Sequence, residues 1–207
     1  MKNSPEGSQR TDARPEGYID LHLHLDGAIT LEIAKELAAL QNVELQVQDN
    51  ELHARLAVPP ECESMNDFLK CFDFPLTLLQ TKEGISEAVY QVLENIRRQN
   101  VIYAEIRFAP QLHTQNGLSQ DDAVQAAIEG LGRSGLSANL ILCCMRGTDT
   151  REANLETVEL ARRYLVENGG IVAIDLAGAE ALYPTEDYRG IFELAAGYGI
   201  PFTIHAG

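Results

Sequence analysis

His22 and His24 stand two residues apart in Tyr18-Ile-Asp-Leu-His-Leu-His-Leu25, an alternating, β-rich stretch that Asp26-Gly27 interrupts. On a strand, the period of two sends both imidazoles to one face and Leu21, Leu23 and Leu25 to the other. Neighbouring imidazoles suit a divalent transition metal such as zinc. Two core histidines bonded to backbone are the plainer reading of so short a motif. A third imidazole, His205, closes Pro201-Phe-Thr-Ile-His205 and falls on the inward side if Phe202–His205 is a strand. Convergence of the three on one ion sets a condition. In a flat sheet the first and fifth strands would lie about 19 Å apart, at about 4.8 Å per spacing. Zinc–nitrogen bonds of about 2 Å cannot span that gap, so the metal site requires a curled sheet.

The elements that would position these residues follow from periodicity. Strand-like segments lie at 18–25, 101–109, 138–145, 171–177 and 201–205, and ANLILCCM at 138–145 is apolar enough to be buried on both faces. Helical patterns lie between them. Thr30 caps one that runs to Leu40; a second spans about Ser86 to Gln99; Ser119 with Asp122 starts a third to about Arg133; others run from Leu155 to Leu165 and from Tyr188 to Ala196. Residues 41–100 hold no convincing strand and read as a helical insertion after strand one, with a capping-box pattern at Ser64 and Asp67 before Phe68 and Leu69. Residues 1–17 read as a disordered tail ahead of one unit, 18–207.

Alternating strands and helices imply parallel β/α units with right-handed crossovers. A doubly wound sheet and a (β/α)8 barrel both satisfy that. No G-x-G-x-x-G or Walker loop supports the former. The polar residues His22, His24, Asp26, Arg107, Arg146, Asp175 and His205 gather at strand C-termini, where a barrel keeps its active site. The expected fold is α/β: about the first five strands of an eight-stranded TIM-type barrel.

The chain has 207 residues and a formal net charge of −15, which disfavours nucleic acid and anionic membranes as partners. It has no apolar run long enough for a membrane span and no secretory h-region. The four cysteines, Cys62, Cys71, Cys143 and Cys144, include no C-x-x-C pair and fit a reducing, cytoplasmic setting. Cys143 and Cys144 are consecutive on a strand and face opposite ways, so they read as buried thiols rather than a chelating pair. His53 reads as a surface histidine, and His113 is given no role. Arg146 and Glu180 are expected to brace the barrel mouth.

Five ordered stretches resemble one family. His22-Leu-His-Leu-Asp-Gly-Ala28 is similar to the H-x-H-L-D-G-A signature of adenosine deaminases, in the amidohydrolase superfamily. Met65–Thr81 resembles the helical lid of that family, Val101–Pro110 its second strand and Ile141–Arg146 its third. Asp175-Leu-Ala-Gly-Ala-Glu180 resembles the D-L-A-G-x-E of its fourth, and His205-Ala-Gly207 the start of H-A-G-E. The resemblance implies zinc on His22, His24 and His205, and substrate on His24, Asp26 and Gly178, with Asp26 on ribose hydroxyls and the Gly178 N–H on the purine. Adenine-specific relatives usually carry Glu where Asp26 stands. It further implies hydrolytic deamination of adenosine, and of 2′-deoxyadenosine, to the inosine nucleoside: zinc activates water for attack at C6 while a Glu protonates N1.

That Glu follows H-A-G in the family, and the sequence ends at Gly207. The family's later His and tandem Asp pair, one Asp a further zinc ligand, have no counterpart in these residues. No catalytic acid or base is therefore assigned here, and residues 1–207 alone are expected to show negligible deaminase activity and to associate through unpaired edges. An adenine or modified-adenosine deaminase and a non-catalytic, truncated metal- or nucleoside-binding product are the alternatives.

Overall fold

The structure is a computed structural model that describes residues 17–64 and 68–206. The expected tail, save Gly17, lies outside the described residues, as do Met65, Asn66, Asp67 (and with it the capping box at Ser64) and Gly207.

Strands β1 (Tyr18–His24), β2 (Val101–Phe108), β3 (Ser137–Met145) and β4 (Ile171–Ala177) form a wholly parallel sheet in the order β1-β2-β3-β4. Strands laid down in sequence order without reversal are the topology of a barrel and not of a doubly wound sheet. The expected fifth strand is present in part: Pro201–His205 makes one parallel bridge, Phe202 to Ile174, and a few bonds. The Ile174 N–H donates to Pro201 O at 3.0 Å, Thr203 to Ile174 O at 2.9 Å and His205 to Leu176 O at 3.1 Å. It therefore runs parallel to β4 but is joined to the sheet along one edge only.

Two opposite register shifts mark the β1–β2 pair. Ile19 faces Tyr103 directly after Tyr18 faces Val101, so β2 holds one extra residue, Ile102. Asp20 then faces Ala104 and Leu23 faces Ile106, so β1 holds one extra. The shifts cancel, and His24 lies opposite Arg107. Where β1 leaves the ladder, the Asp20 carboxylate accepts the His22 N–H at 3.0 Å.

Seven α-helices are described: α1 (Leu31–Leu40), α2 (Asp49–Leu56), α3 (Asp73–Thr77), α4 (Lys82–Arg98), α5 (Gln120–Arg133), α6 (Arg151–Tyr164) and α7 (Arg189–Gly197). Thr30 caps α1 as expected, and Ser119 with Asp122 forms the expected capping box on α5. Helix α4 begins four residues before Ser86 because Thr81 Oγ1 accepts the Gly84 N–H at 3.0 Å, and α6 begins four residues before Leu155, at Arg151, without a side-chain cap. Apolar spacing marks where a helix is buried; caps mark where it starts.

Alternate strand residues divide the interior. Ala104, Ile106 and Phe108 on β2, Leu140, Leu142 and Cys144 on β3, and Ile174 and Leu176 on β4 pack under the helices in the main core. Ala109, Cys143 and Ala177 form a separate cluster with Leu112 and Met145 on the other face. Helix α4, within the 41–100 segment, packs on α5 and β2 as a crossover helix does. They approach tightly at Gly130, where a Cβ would fall 2.3 Å from Ser86 O. Gly130→Ala is therefore expected to separate the helices and cost about 1–3 kcal/mol, read from the urea unfolding midpoint.

His113 is buried in the turn after β2 (Pro110–His113), where Nδ1 donates to Leu79 O at 2.9 Å and the ring lies 5.7 Å from Phe108. Burial pushes its pKa down to about 4. The unfolded chain, at about 6.5, binds the proton more readily. Stability from this group is thus complete above pH 6.5 and falls away as pH drops toward 4, by up to about 3 kcal/mol. Urea midpoints across that window should fall more steeply for the parent than for His113→Gln. Parallel slopes would show that another group is responsible.

Candidate functional site

The three histidines meet. His22 Nε2 lies 2.9 Å from His205 Nε2, His24 Nε2 lies 2.9 Å from the same atom, and the first two are 3.2 Å apart. Contact between β1 and the segment beyond β4 is possible only if the sheet curls, as the sequence required. Among the described residues this trio is the one group of His, Cys, Asp or Glu placed to hold a metal ion.

Its chemistry fits zinc. Tetrahedral bonds of about 2.0–2.1 Å separate ligand nitrogens by about 3.3 Å, close to the spacing seen. A neutral imidazole has one N–H. His205 Nδ1 sits 2.6 Å from Asp175 Oδ2, which favours the proton on Nδ1 and leaves Nε2 a lone pair facing the other rings. Burial, then His205, His22 and Arg107, lower His24 to about 4; burial and Arg107 lower His22. Both rings are thus neutral at pH 7, the form a metal binds. Burial opposes ionisation of Asp175, but His205 and Arg107 outweigh it and hold the carboxyl at about 2.

Beside the trio opens a cavity of about 770 Å3 lined by Asp26, Phe72, Phe108, Met145 and Gly178, among others. Asp26 opens the short 3-10 turn Asp26–Ala28 that follows β1 and accepts the Gly27 N–H at 2.9 Å; burial of its carboxyl raises the pKa to about 6. Phe68 and Phe72 stack edge-on at 5.4 Å, and Phe72 reaches the His24 ring at 6.3 Å. Gly178 follows β4 with φ +109°, and a Cβ there would lie 3.2 Å from that of Arg146, so glycine is needed on both counts. Arg146 is buried and donates to Tyr183 O, Thr185 Oγ1 and His205 O at 2.8, 2.9 and 3.0 Å, with Glu180 at 3.6 Å. It ties the loop after β4 to the third histidine, the bracing expected of it.

Cys143 lines the cavity, whereas Cys144 turns to the helix side, its thiol 3.7 Å from Asn154 O. Burial drives the Cys143 thiol well above its usual pKa and Cys144 up to about 12, so neither is a nucleophile at neutral pH. His53 is exposed on α2. Sequence reasoning placed Arg107 and Asp175 at strand ends without joining them. The Arg107 guanidinium donates to Asp175 Oδ2 at 3.0 Å and to Leu21 O at 2.7 Å. The available signal was one charged residue in each of two otherwise apolar strand ends, IRFA and AIDLA.

Known proteins align with these features. The adenosine deaminase family model matches residues 18–207. An adenosine deaminase of Haemophilus ducreyi is 51% identical over 199 residues, covering 92% of this chain and 58% of that protein. One of Clostridium acetobutylicum is 37% identical over 194 residues, covering 91% and 57%. The chain thus spans under three-fifths of these relatives' length. Among solved structures, an adenine deaminase of Arthrobacter aurescens superposes with a TM-score of 0.77 at 27% identity, over 91% of this chain and 57% of that one. A zinc-bound amidohydrolase of Burkholderia ambifaria shares the fold, with a TM-score of 0.76 at 21% identity over 92% and 52%.

Proposed function

The chain belongs to the adenosine deaminase family, and from that premise we propose that the protein carrying it converts adenosine, and 2′-deoxyadenosine, to the inosine nucleoside and ammonia in cytoplasmic purine salvage. The observation that carries the reading is the meeting of His22, His24 and His205 within 3.2 Å at the wall of a cavity of about 770 Å3. Those three residues would hold zinc, which when bound lowers the pKa of water toward about 7 and so provides a nucleophile at neutral pH. Asp26 binds the ribose hydroxyls, and the Gly178 backbone N–H meets the purine ring. Phe68 and Phe72 shield the site from water. Proton transfer to the ring falls to the Glu that follows H-A-G in the family pattern. No helix among the described residues is long and apolar enough to cross a membrane, and the four cysteines are free, which suits a reducing compartment.

Adenine itself is a second reading, favoured by the Arthrobacter neighbour; Asp26 weighs against it. Asp26→Ala in the zinc-loaded whole protein separates the two. Adenosine turnover, followed by absorbance, is expected to fall much further than any turnover of adenine, because a polar group left unpaired discriminates strongly. Equal losses would remove Asp26 from ribose recognition.

A further inference from the structure

Arg107 lies opposite His24 in the ladder, and its guanidinium bonds to the supports of two other histidines, His205 and His22. One arm donates to Asp175 Oδ2 at 3.0 Å, the same oxygen that faces His205 Nδ1 at 2.6 Å. The other donates at 2.7 Å to the carbonyl of Leu21, immediately before His22. That carbonyl lies where β1 departs from its ladder with β2, between Asp20 and Leu23. The irregular stretch carrying His22 is thus held by Asp20 at the His22 N–H and by Arg107 at the preceding carbonyl. Arg107 is 4% exposed and Asp175 0%, so water cannot readily replace the bond between them.

We propose that Arg107 is a positioning residue that sets the distance between His22 on β1 and His205 beyond β4 by bridging the Leu21 carbonyl and the Asp175 carboxylate. This rests on the zinc reading above. Two donors in a planar fork can serve two acceptors in fixed geometry, whereas a lysine ammonium is a single flexible point of charge. Arg107→Lys therefore keeps the charge beside Asp175 and loses the fixed spacing.

The experiment measures zinc affinity of the whole protein that carries this chain by competition with a chromophoric chelator, with circular dichroism reporting folding. The variants are Arg107→Lys, His22→Ala and, as a control destabilised away from the site, Gly130→Ala. Groups that orient ligands typically govern affinity by about 10–100-fold, and that loss is expected for Arg107→Lys while folded Gly130→Ala matches the parent. If Arg107→Lys does not fold, Arg107→Met/Asp175→Leu removes both charges and is expected to lose at least as much affinity. Parental affinity in whichever of these folds, with affinity lost in His22→Ala, overturns the positioning role and leaves the zinc site standing. Parental affinity in His22→Ala as well overturns both.

Discussion

Replacing His205 with alanine is expected to weaken zinc binding by about 10²–10³-fold. Zinc bound through four ligands is worth about 10–16 kcal/mol, so each contributes about 3–4 kcal/mol, and about 1.4 kcal/mol is a factor of ten. The fold should persist, because Asp175 keeps Arg107 at 3.0 Å when the imidazole is gone. His22→Ala and His24→Ala should behave alike, since all three nitrogens lie within 3.2 Å of one another. His53→Ala, on the exposed face of α2, should not change the affinity. Metal content after dialysis, with chelator competition, reads the result. Zinc retained by His22→Ala and His205→Ala would dismiss the trio as a metal centre.

Asp175→Ala should be among the most destabilising single changes in the chain. Its carboxylate is fully buried and pairs with a guanidinium only 4% exposed. Removing one partner leaves the other charged, dehydrated and unpaired, at about 3–5 kcal/mol. That is a large part of the 5–15 kcal/mol, roughly, that stabilises a typical domain. The pair itself need not stabilise the fold, since desolvation offsets much of the attraction. Arg107→Met/Asp175→Leu should therefore unfold at higher urea than Asp175→Ala. If the single and double variants unfold together, the cost lies in lost shape and not in the stranded charge.

Much of this was legible from residue order. The helix caps at Thr30 and Ser119 are local chemistry and were found in place. β2, β3 and β4 lie within a residue of the expected spans because their apolar runs are bounded by Asn100, Pro110 and Gly170. The directions of His22 and His24 followed from a period of two. What could not be read depends on contacts distant in sequence. The start of α4 is set by one threonine hydroxyl outside the apolar pattern. The fifth strand's extent rests on its few bonds to β4, residues about 30 positions earlier. The Arg107–Asp175 pair joins residues 68 apart, and neither residue type announces its partner.

The two cancelling register shifts between β1 and β2 turn chain length into a constraint on the site. Ile102 and one residue between Asp20 and Leu23 stand outside the regular pairing, and only together do they bring His24 level with Arg107. Deleting Ile102 alone would either shift Val101 and the residues before it by one position or slide Tyr103–Phe108 along β3 and turn the Arg107 side chain away from Asp175. Deleting Leu21 alone would reverse the faces of Tyr18, Ile19 and Asp20 or displace both histidines. Removing both residues keeps the spans from Tyr18 to His24 and from Val101 to Arg107 equal. Substitutions along these strands are judged by side chain, but a deletion at one of these two positions keeps the site in register only when matched by one at the other.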